Sequence, residues 1–404
     1  MAAVSGIGTS YNTEYLLGDL HKTATNEAPF FAMIGGLHGA QSARKKQFSW
    51  QTIDNAAPAQ DTALEGGAAS FSHRSRAEIY NVLEIHDEAF QLTWTQQAAV
   101  DQVGAATISI LGNQPVQDES GLQSELKLQK IAADIDYGFF NGAFVDDTDI
   151  NTERATRGVL TAATTNVQDA VEAAPYGTTL TSVTVEADDE LFTKTSHGLQ
   201  VGDEVEITAI TNGTPFAVGT AYWVVFASAD TFKLSTSRGG TAVNCTLDGT
   251  AITVKKRNPL TKARVNKLLR TMRANGAKFV KPVLFAGTFQ KQKVSDLYGY
   301  APESRNVGGV NVKVIETDVV DLHVQLVRNI PADKLAIVDV GVCKPHMLNI
   351  PAKQGRMGGH LIMTPVPHDK SADAWRFYCE VGLEYGPEWY HGQIDGLTTD
   401  EALA

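Results

Sequence analysis

The chain has 404 residues, of which 43% are hydrophobic and 20% charged. That balance excludes wholesale disorder, and the length leaves room for two or three domains. Lys and Arg number 34 against 46 Asp and Glu, a formal charge of −12, which argues against a surface built to neutralise nucleic-acid phosphates.

Residues 1–39 scatter glycines among small polar residues. Leu16, Leu17 and Leu20 can form a short helix, and Pro29-Phe30-Phe31 with Met33-Ile34 makes one apolar anchor. A segment with sticky points and little core of its own is either disordered or docked on something else, such as a neighbouring subunit. Residues 45–94 read as two strand-like arms around a loose tip. The rising arm, residues 45–53, alternates polar and apolar. The tip, residues 54–72, is Ala, Gly, Asp and Gln with a bend at Glu65-Gly66-Gly67, and the returning arm runs from Arg74 to Trp94. A two-stranded hairpin is marginal in water, so this one must lie on another surface, an active-site lid being the alternative reading.

A short helix is expected over residues 95–103 and a second apolar element over 104–112. Residues 120–141, SGLQSELKLQKIAADIDYGFFN, carry the strongest helix signal. Ser120 and Gln123 have capping-box spacing, and Leu128, Ile131, Ala132, Ile135 and Phe139 form one apolar stripe. Lys127, Lys130, Asp134 and Asp136 are expected on wet faces. The helix is a rod of roughly 33 Å, at about 1.5 Å per residue.

Residues 151–165 look loop-like. From 177 to 256 the pattern turns all-β. Strands are expected over residues 182–186, 191–195, 204–210, 222–227, 231–235 and 252–256, with glycine-rich turns between them. That spacing predicts a small inserted sandwich or barrel. Thr261 then caps a helix with Val265, Leu268, Leu269 and Met272 inward, ending at Asn275-Gly276. Lys262, Arg264, Lys267, Arg270 and Arg273 make its outer face basic, either simply solvated or a patch for an acidic partner such as another copy. Strands follow at 280–286, 310–315, 323–327 and 335–340, with a short helix at 290–298. A long alternating strand covers 375–385, and residues 389–394 close the fold.

Few residues point to chemistry. The ten histidines show no H-E-x-x-H or comparable spacing, and there is no nucleophile elbow or Walker loop. No catalytic, metal or cofactor residue is assigned, and no cofactor is expected. His86-Asp87-Glu88 on a strand splits between two faces. Cys245, Cys343 and Cys379 have neither disulfide nor zinc spacing and read as reduced thiols of a cytosolic setting. There is no secretory signal and no run of about 18 apolar residues that would span a membrane.

The order of pieces resembles the major capsid proteins of tailed bacteriophages, the Hong Kong phage type of shell fold shared with herpesviruses. The resemblance rests on Ala28-Pro29-Phe30-Phe31 before the hairpin, Trp50-Gln51-Thr52 on its rising arm and Glu65-Gly66 near its tip. Thr95-Gln96-Gln97-Ala98-Ala99-Val100 follows, with one residue added relative to that subfamily. The departure is the β insertion, whose His197-Gly198-Leu199 and Gly202-Asp203 resemble β modules of other phage virion proteins.

The resemblance implies an α+β fold: an N-terminal arm (1–44), an extended hairpin loop (45–94), a peripheral domain with the spine helix (95–152), an axial domain (153–176 and 257–333), the inserted β domain (177–256), and a return to the peripheral domain (334–404). It implies a non-enzymatic homo-oligomer of hexamers and pentamers in an icosahedral virion shell, assembled in the host bacterial cytoplasm. Its partners would be a scaffolding protein, a portal, a possible decoration protein, and packaged DNA enclosed without specific binding; no membrane is implied. The chain begins at Met1, so a separate scaffold is expected. Inter-subunit contact is expected from Phe30, Phe31, Phe48, Trp50, Ile53, Asp54, Asp61, Leu64 and Glu65. Some relatives weld subunits through a hairpin lysine, but residues 47–90 contain none, so a non-covalent lock is expected. The residues by themselves also admit a hydrolase with a carbohydrate-binding insertion, or a tail or adhesion protein built of β modules.

Overall fold

The computed structural model describes residues 27–53, 60, 62, 64–68, 71, 73–95, 119–147, 149, 151–168, 178–187, 190–299, 312–353, 358–367 and 370–399. The expectations for residues 1–26, for Asp54 and Asp61, and for the elements between 96 and 112 lie outside them. The helices are α1 (Pro29–Met33), α2 (Glu119–Asn141), α3 (Val159–Ala162), α4 (Lys262–Ala274) and α5 (Thr288–Tyr298). The strands before the insertion are β1 (Gln41–Ala43), β2 (Gln47–Ile53), β3 (Arg76–Val82), β4 (Glu84–Thr93) and β5 (Val167–Gln168). Those of the insertion are β6 (Thr179–Val185), β7 (Phe192–Thr193), β8 (Glu204–Asn212), β9 (Ala221–Ala227), β10 (Thr231–Ser235) and β11 (Gly249–Arg257). After it come β12 (Pro282–Ala286), β13 (Val314–Glu316), β14 (Asp321–Leu326), β15 (Leu335–Asp339), β16 (Lys344–Leu348), β17 (Leu361–Pro365), β18 (Ala372–Glu384) and β19 (Gly392–Ile394).

Strand β18 is the axis of the first sheet. β4 pairs along one edge from Ala372↔Thr93 to Val381↔Glu84. β17 and then β16 share the other edge end to end, and β1 lies parallel beside β16. The arm expected to return from Arg74 to Trp94 is therefore two strands. β3 pairs with β2, but after the break at Leu83 the chain leaves the hairpin and β4 joins β18. Alternation alone does not distinguish these, because β3 and β4 both read as strand and only the partner changes.

The spine helix runs one residue longer than expected, so Ser120 lies inside its first turn rather than at the cap. Of its stripe, Ile131, Ile135 and Phe139, with the neighbouring Phe140, are buried against Phe90, Leu92, Phe377, Cys379 and Val381 of the sheet, whereas Leu128 is 37% exposed. Lys127 and Lys130 reach Glu88 on β4 at 2.7 and 2.6 Å. Burial pushes the Glu88 carboxyl up, but the two ammonium groups outweigh it and hold the group below its ordinary value. A Cβ at Gly138 would stand 2.6 Å from the Glu84 carboxylate, so the helix passes close to β4 there.

Two expectations on this helix are overturned. Asp136 does not face water. It is 0% exposed and accepts hydrogen bonds from the Phe31 N–H (2.9 Å) and Asn329 Nδ2 (2.8 Å). Phe30 and Phe31 are likewise inside this chain rather than at an inter-subunit contact. Phe30 packs on Phe140 (4.8 Å), Phe285 (5.5 Å) and Phe139 (6.4 Å). A Pro-Phe-Phe anchor reads the same whether its socket belongs to its own chain or another; here α2 supplies the socket.

The second sheet has the order β13-β14-β12-β15-β19-β5. Val283, Phe285, Ala336 and Val338 share the core under the spine helix, whereas Leu284, Ala286, Leu335 and Ile337 pack with α4 residues Val265, Leu268, Leu269 and Met272. β15 and β19 come from residues 334–404, so that segment divides between both sheets instead of returning wholly to the first. Thr261 caps α4 by accepting the Arg264 N–H, and Gly276 ends it at φ +94°. The segment expected to be loop over 151–165 contains α3.

All six strands expected in the insertion are present, and they close a barrel of order β10-β7-β6-β11-β8-β9. Its core, which includes Val183, Phe192, Ile207, Phe232 and Ile252, shares no residue with the other two. The His197-Gly198-Leu199 motif is a turn: His197 Nδ1 accepts the Leu199 N–H at 3.0 Å, and Gly198 and Gly202 both have positive φ.

Because the barrel has its own core, replacing residues 177–256 by a short Gly/Ser linker should leave soluble protein with undiminished helical circular dichroism. Global unfolding of that variant would make the barrel integral to the rest. A second expectation concerns Asp136, whose pKa is raised, chiefly by burial, so the folded state holds its proton above the pH at which the unfolded chain releases it. Its contribution is full below the unfolded value and is lost as pH rises through the folded one. Denaturation midpoints of Asp136→Asn against wild type, measured from pH 3 to 7, should therefore diverge in the variant's favour as pH rises; a pH-independent difference contradicts this.

Candidate intersubunit surface

The β2–β3 hairpin runs from Gln47↔Val82 to Ile53↔Arg76. Period-two alternation turns Phe48, Trp50 and Thr52 toward the body and leaves Ser49, Gln51 and Ile53 exposed. Phe48 stacks on His346 (centroids 4.4 Å apart) and Trp50 meets Tyr385 edge-on at 4.9 Å. The Trp50 indole N–H donates to the Gly386 carbonyl at 3.0 Å.

Asn81 fastens the base of the hairpin. It is fully buried, and its amide uses every donor and acceptor. Nδ2 donates to the Leu383 (2.8 Å) and Arg157 (3.1 Å) carbonyls, while Oδ1 accepts the Arg157 (2.8 Å) and Val82 (3.0 Å) N–H groups. Lys46 adds ion pairs to Asp146 and Asp147 at the same end.

Beyond this clamp the apolar residues lose their cover. Ile53 is 50% exposed, Leu64 87% and Phe71 95%. Glu65 is exposed beside Leu64. The expected contact residues thus separate. Phe30 and Phe31 are core, Phe48 and Trp50 are half-buried on their own chain, and Ile53, Leu64 and Glu65 stand free. Asp54 and Asp61 lie outside the described residues. Phe71 and Asn81 escaped the sequence reading. Phe71 was legible as the one aromatic in a tip of small residues, whereas nothing in the sequence separates Asn81 from an ordinary strand Asn.

In the open cleft beside the first sheet, the titratable groups are engaged structurally. An open cleft of about 840 Å³ beside β1, β16, β17 and β18 is lined by Arg44, Ile362, Arg376, Tyr378 and Glu380. Arg376 forks onto Asp87, and Glu380 takes Arg154 and the Tyr378 hydroxyl, each at 2.8 Å. Burial and that carboxylate push the Tyr378 hydroxyl up to about 12. Burial also pushes the Cys379 thiol up to about 12 and Cys343 well above its ordinary value, which leaves neither a nucleophilic thiolate. His86, Asp87 and Glu88 divide between the two faces of β4, each with its own partner. Among the described residues, no group of three or more His, Cys, Asp or Glu is placed to hold a metal ion, and no helix is long and apolar enough to cross a membrane.

Asn81→Leu should orphan two backbone N–H groups at the hairpin base. At about 1–3 kcal/mol for each unsatisfied buried group, the denaturation midpoint should fall clearly and proteolysis at the tip should accelerate. An unchanged midpoint would show that the clamp is dispensable.

The fold is similar to that of a chain in the cyanophage A-1(L) capsid asymmetric unit, with a TM-score of 0.53 at 13% identity, covering 98% of this chain and 100% of that one. It is also similar to a chain from the capsid of a native GTA particle, with a TM-score of 0.51 at 10% identity and coverage of 98% and 100%. No curated protein matches the sequence. The sequence matches the SU10 major capsid protein family over residues 3–398, and the chain belongs to that family of structural capsid proteins.

Proposed function

We propose that copies of this chain form hexamers and pentamers that close an icosahedral phage head around double-stranded DNA, each hairpin lying across a neighbouring subunit. The observation that carries this reading is the apolar tip: Ile53, Leu64 and Phe71 lie beyond a clamped base and are 50%, 87% and 95% exposed. At about 25 cal/mol per Å² of apolar surface removed from water, covering such side chains on each neighbour adds up over a shell. Exposed ion pairs from Asp54, Asp61 and Glu65 would add only about 0–1 kcal/mol each.

In this arrangement residues 153–176 and 257–333 gather at the capsomer centre, and the spine helix, hairpin and first sheet form the periphery. The barrel stands on the outside. The lock is non-covalent, because an amide weld needs a hairpin amine and residues 47–90 carry no Lys. A separate scaffolding protein and a portal are the partners of assembly in the bacterial cytoplasm, and the chain has no catalytic role. A net charge of −12 suits a container that encloses DNA without gripping it.

Negative-stain microscopy of the expressed protein, alone or with its scaffold, should show closed megadalton shells. A small oligomer with a substrate pocket would favour an enzyme, and rods or rings a tail component. Leu64→Asp combined with Phe71→Asp should abolish shells while leaving the circular dichroism unchanged; shells of normal yield contradict the docking. Particles boiled in detergent should run as one band near 43.5 kDa. A ladder that survives boiling and reductant would refute the non-covalent lock.

A further inference from the structure

A second cleft, of about 510 Å³, opens beside β12 and β14 of the six-stranded sheet. Lys281, Lys291, Lys313 and His323 line it, with no carboxylate among its lining residues. Among the described residues no acidic side chain pairs with any of the three lysines. The Lys291 ammonium donates only to neutral groups, the Val312 carbonyl and the Ser295 hydroxyl. In a chain with twelve more acidic than basic charges, four nitrogen bases sharing one cleft without an acid describe a site shaped for an anion. The walls are apolar as well, with Met33, Val283 and Leu326 contributing. A free phosphate has no use for such walls, whereas an acidic segment with apolar side chains uses both features.

The chain contains one where it can reach. Residues 14–20, Glu-Tyr-Leu-Leu-Gly-Asp-Leu, set two carboxylates among Tyr15, Leu16, Leu17 and Leu20. The described chain starts at Glu27, which pairs with Arg328 just past β14 at 3.6 Å, and α1 then carries Met33 to the cleft wall. From Glu27 back to Asp19 the backbone can span about 26 Å, at about 3.3 Å per residue. We propose that this lysine-lined cleft holds the acidic segment 14–20 of the chain's own N-terminal arm, Glu14 and Asp19 facing the lysines and the leucines facing the apolar walls. The proposal does not depend on how subunits assemble.

Zero-length carbodiimide coupling tests it on the full-length protein, prepared as a mixture of nitrogen-15-labelled and unlabelled copies. Peptide mapping should find Glu14 or Asp19 joined to Lys281 or Lys313 within copies of one label. Lys281→Glu with Lys313→Glu, both at exposed positions, should expose the arm to protease, and adding Glu14→Lys with Asp19→Lys should restore protection. Coupling of those lysines only to other carboxylates, or only between differently labelled copies, overturns the proposal. Protection of the lysines by inorganic phosphate while the arm stays uncoupled overturns it too, by showing a simple anion site.

Discussion

Four phenylalanine rings hold the molecule to one shape. Phe30 from α1, Phe139 and Phe140 from the end of the spine helix, and Phe285 from β12 meet with centroids 4.8–6.4 Å apart. Aromatic pairs of this kind add about 0.5–1.5 kcal/mol each beyond their buried area. Their position matters more than that sum, because the rings come from three different parts of the chain. The joint fixes the spine helix to the second sheet, the helix's other residues fix it to β4 and β18, and β18 fixes the hairpin base through the Leu383 carbonyl on Asn81. Asp136 completes the joint by receiving the Phe31 N–H, at the cost of burying a carboxyl.

From that joint outward, residues serve either their own chain or a surface beyond it. Phe48 and Trp50 are committed inward by stacking and by the indole hydrogen bond. Ile53, Leu64 and Phe71 lie past the last clamp and have no such commitment. In the proposed shell, a hairpin with a clamped base and an exposed apolar tip is completed by a neighbouring copy. The barrel is the opposite case. It is closed and has a separate core.

Most elements were legible in the sequence because their patterns are periodic: the 3.6-residue stripe through Ile131, Ile135 and Phe139, the Thr261 cap of α4, and the six barrel strands between glycine turns. What escaped was pairing and environment. Leu83 marks a change of partner that alternation does not encode. Asp136 sits at a position of ordinary helical polarity, and only the Phe31 amide and Asn329 brought to it in the fold explain its burial. Short strands such as β1, β16 and β17 carry too few residues to show a period. For the surface, the exposed, core-less character of the hairpin tip was legible from its composition. The assignment of Phe30 and Phe31 to that surface was not, because an apolar anchor carries no mark of whose core it enters.

The central claim is that the hairpin tip is finished only by another copy. A density map of the assembled particle at side-chain resolution tests it most directly. It should show Ile53, Leu64 and Phe71 of each subunit buried against a neighbour, with the Asn81 clamp as it stands in the single chain. Tips folded back on their own subunit, or left in solvent while shells close through other surfaces, would contradict it.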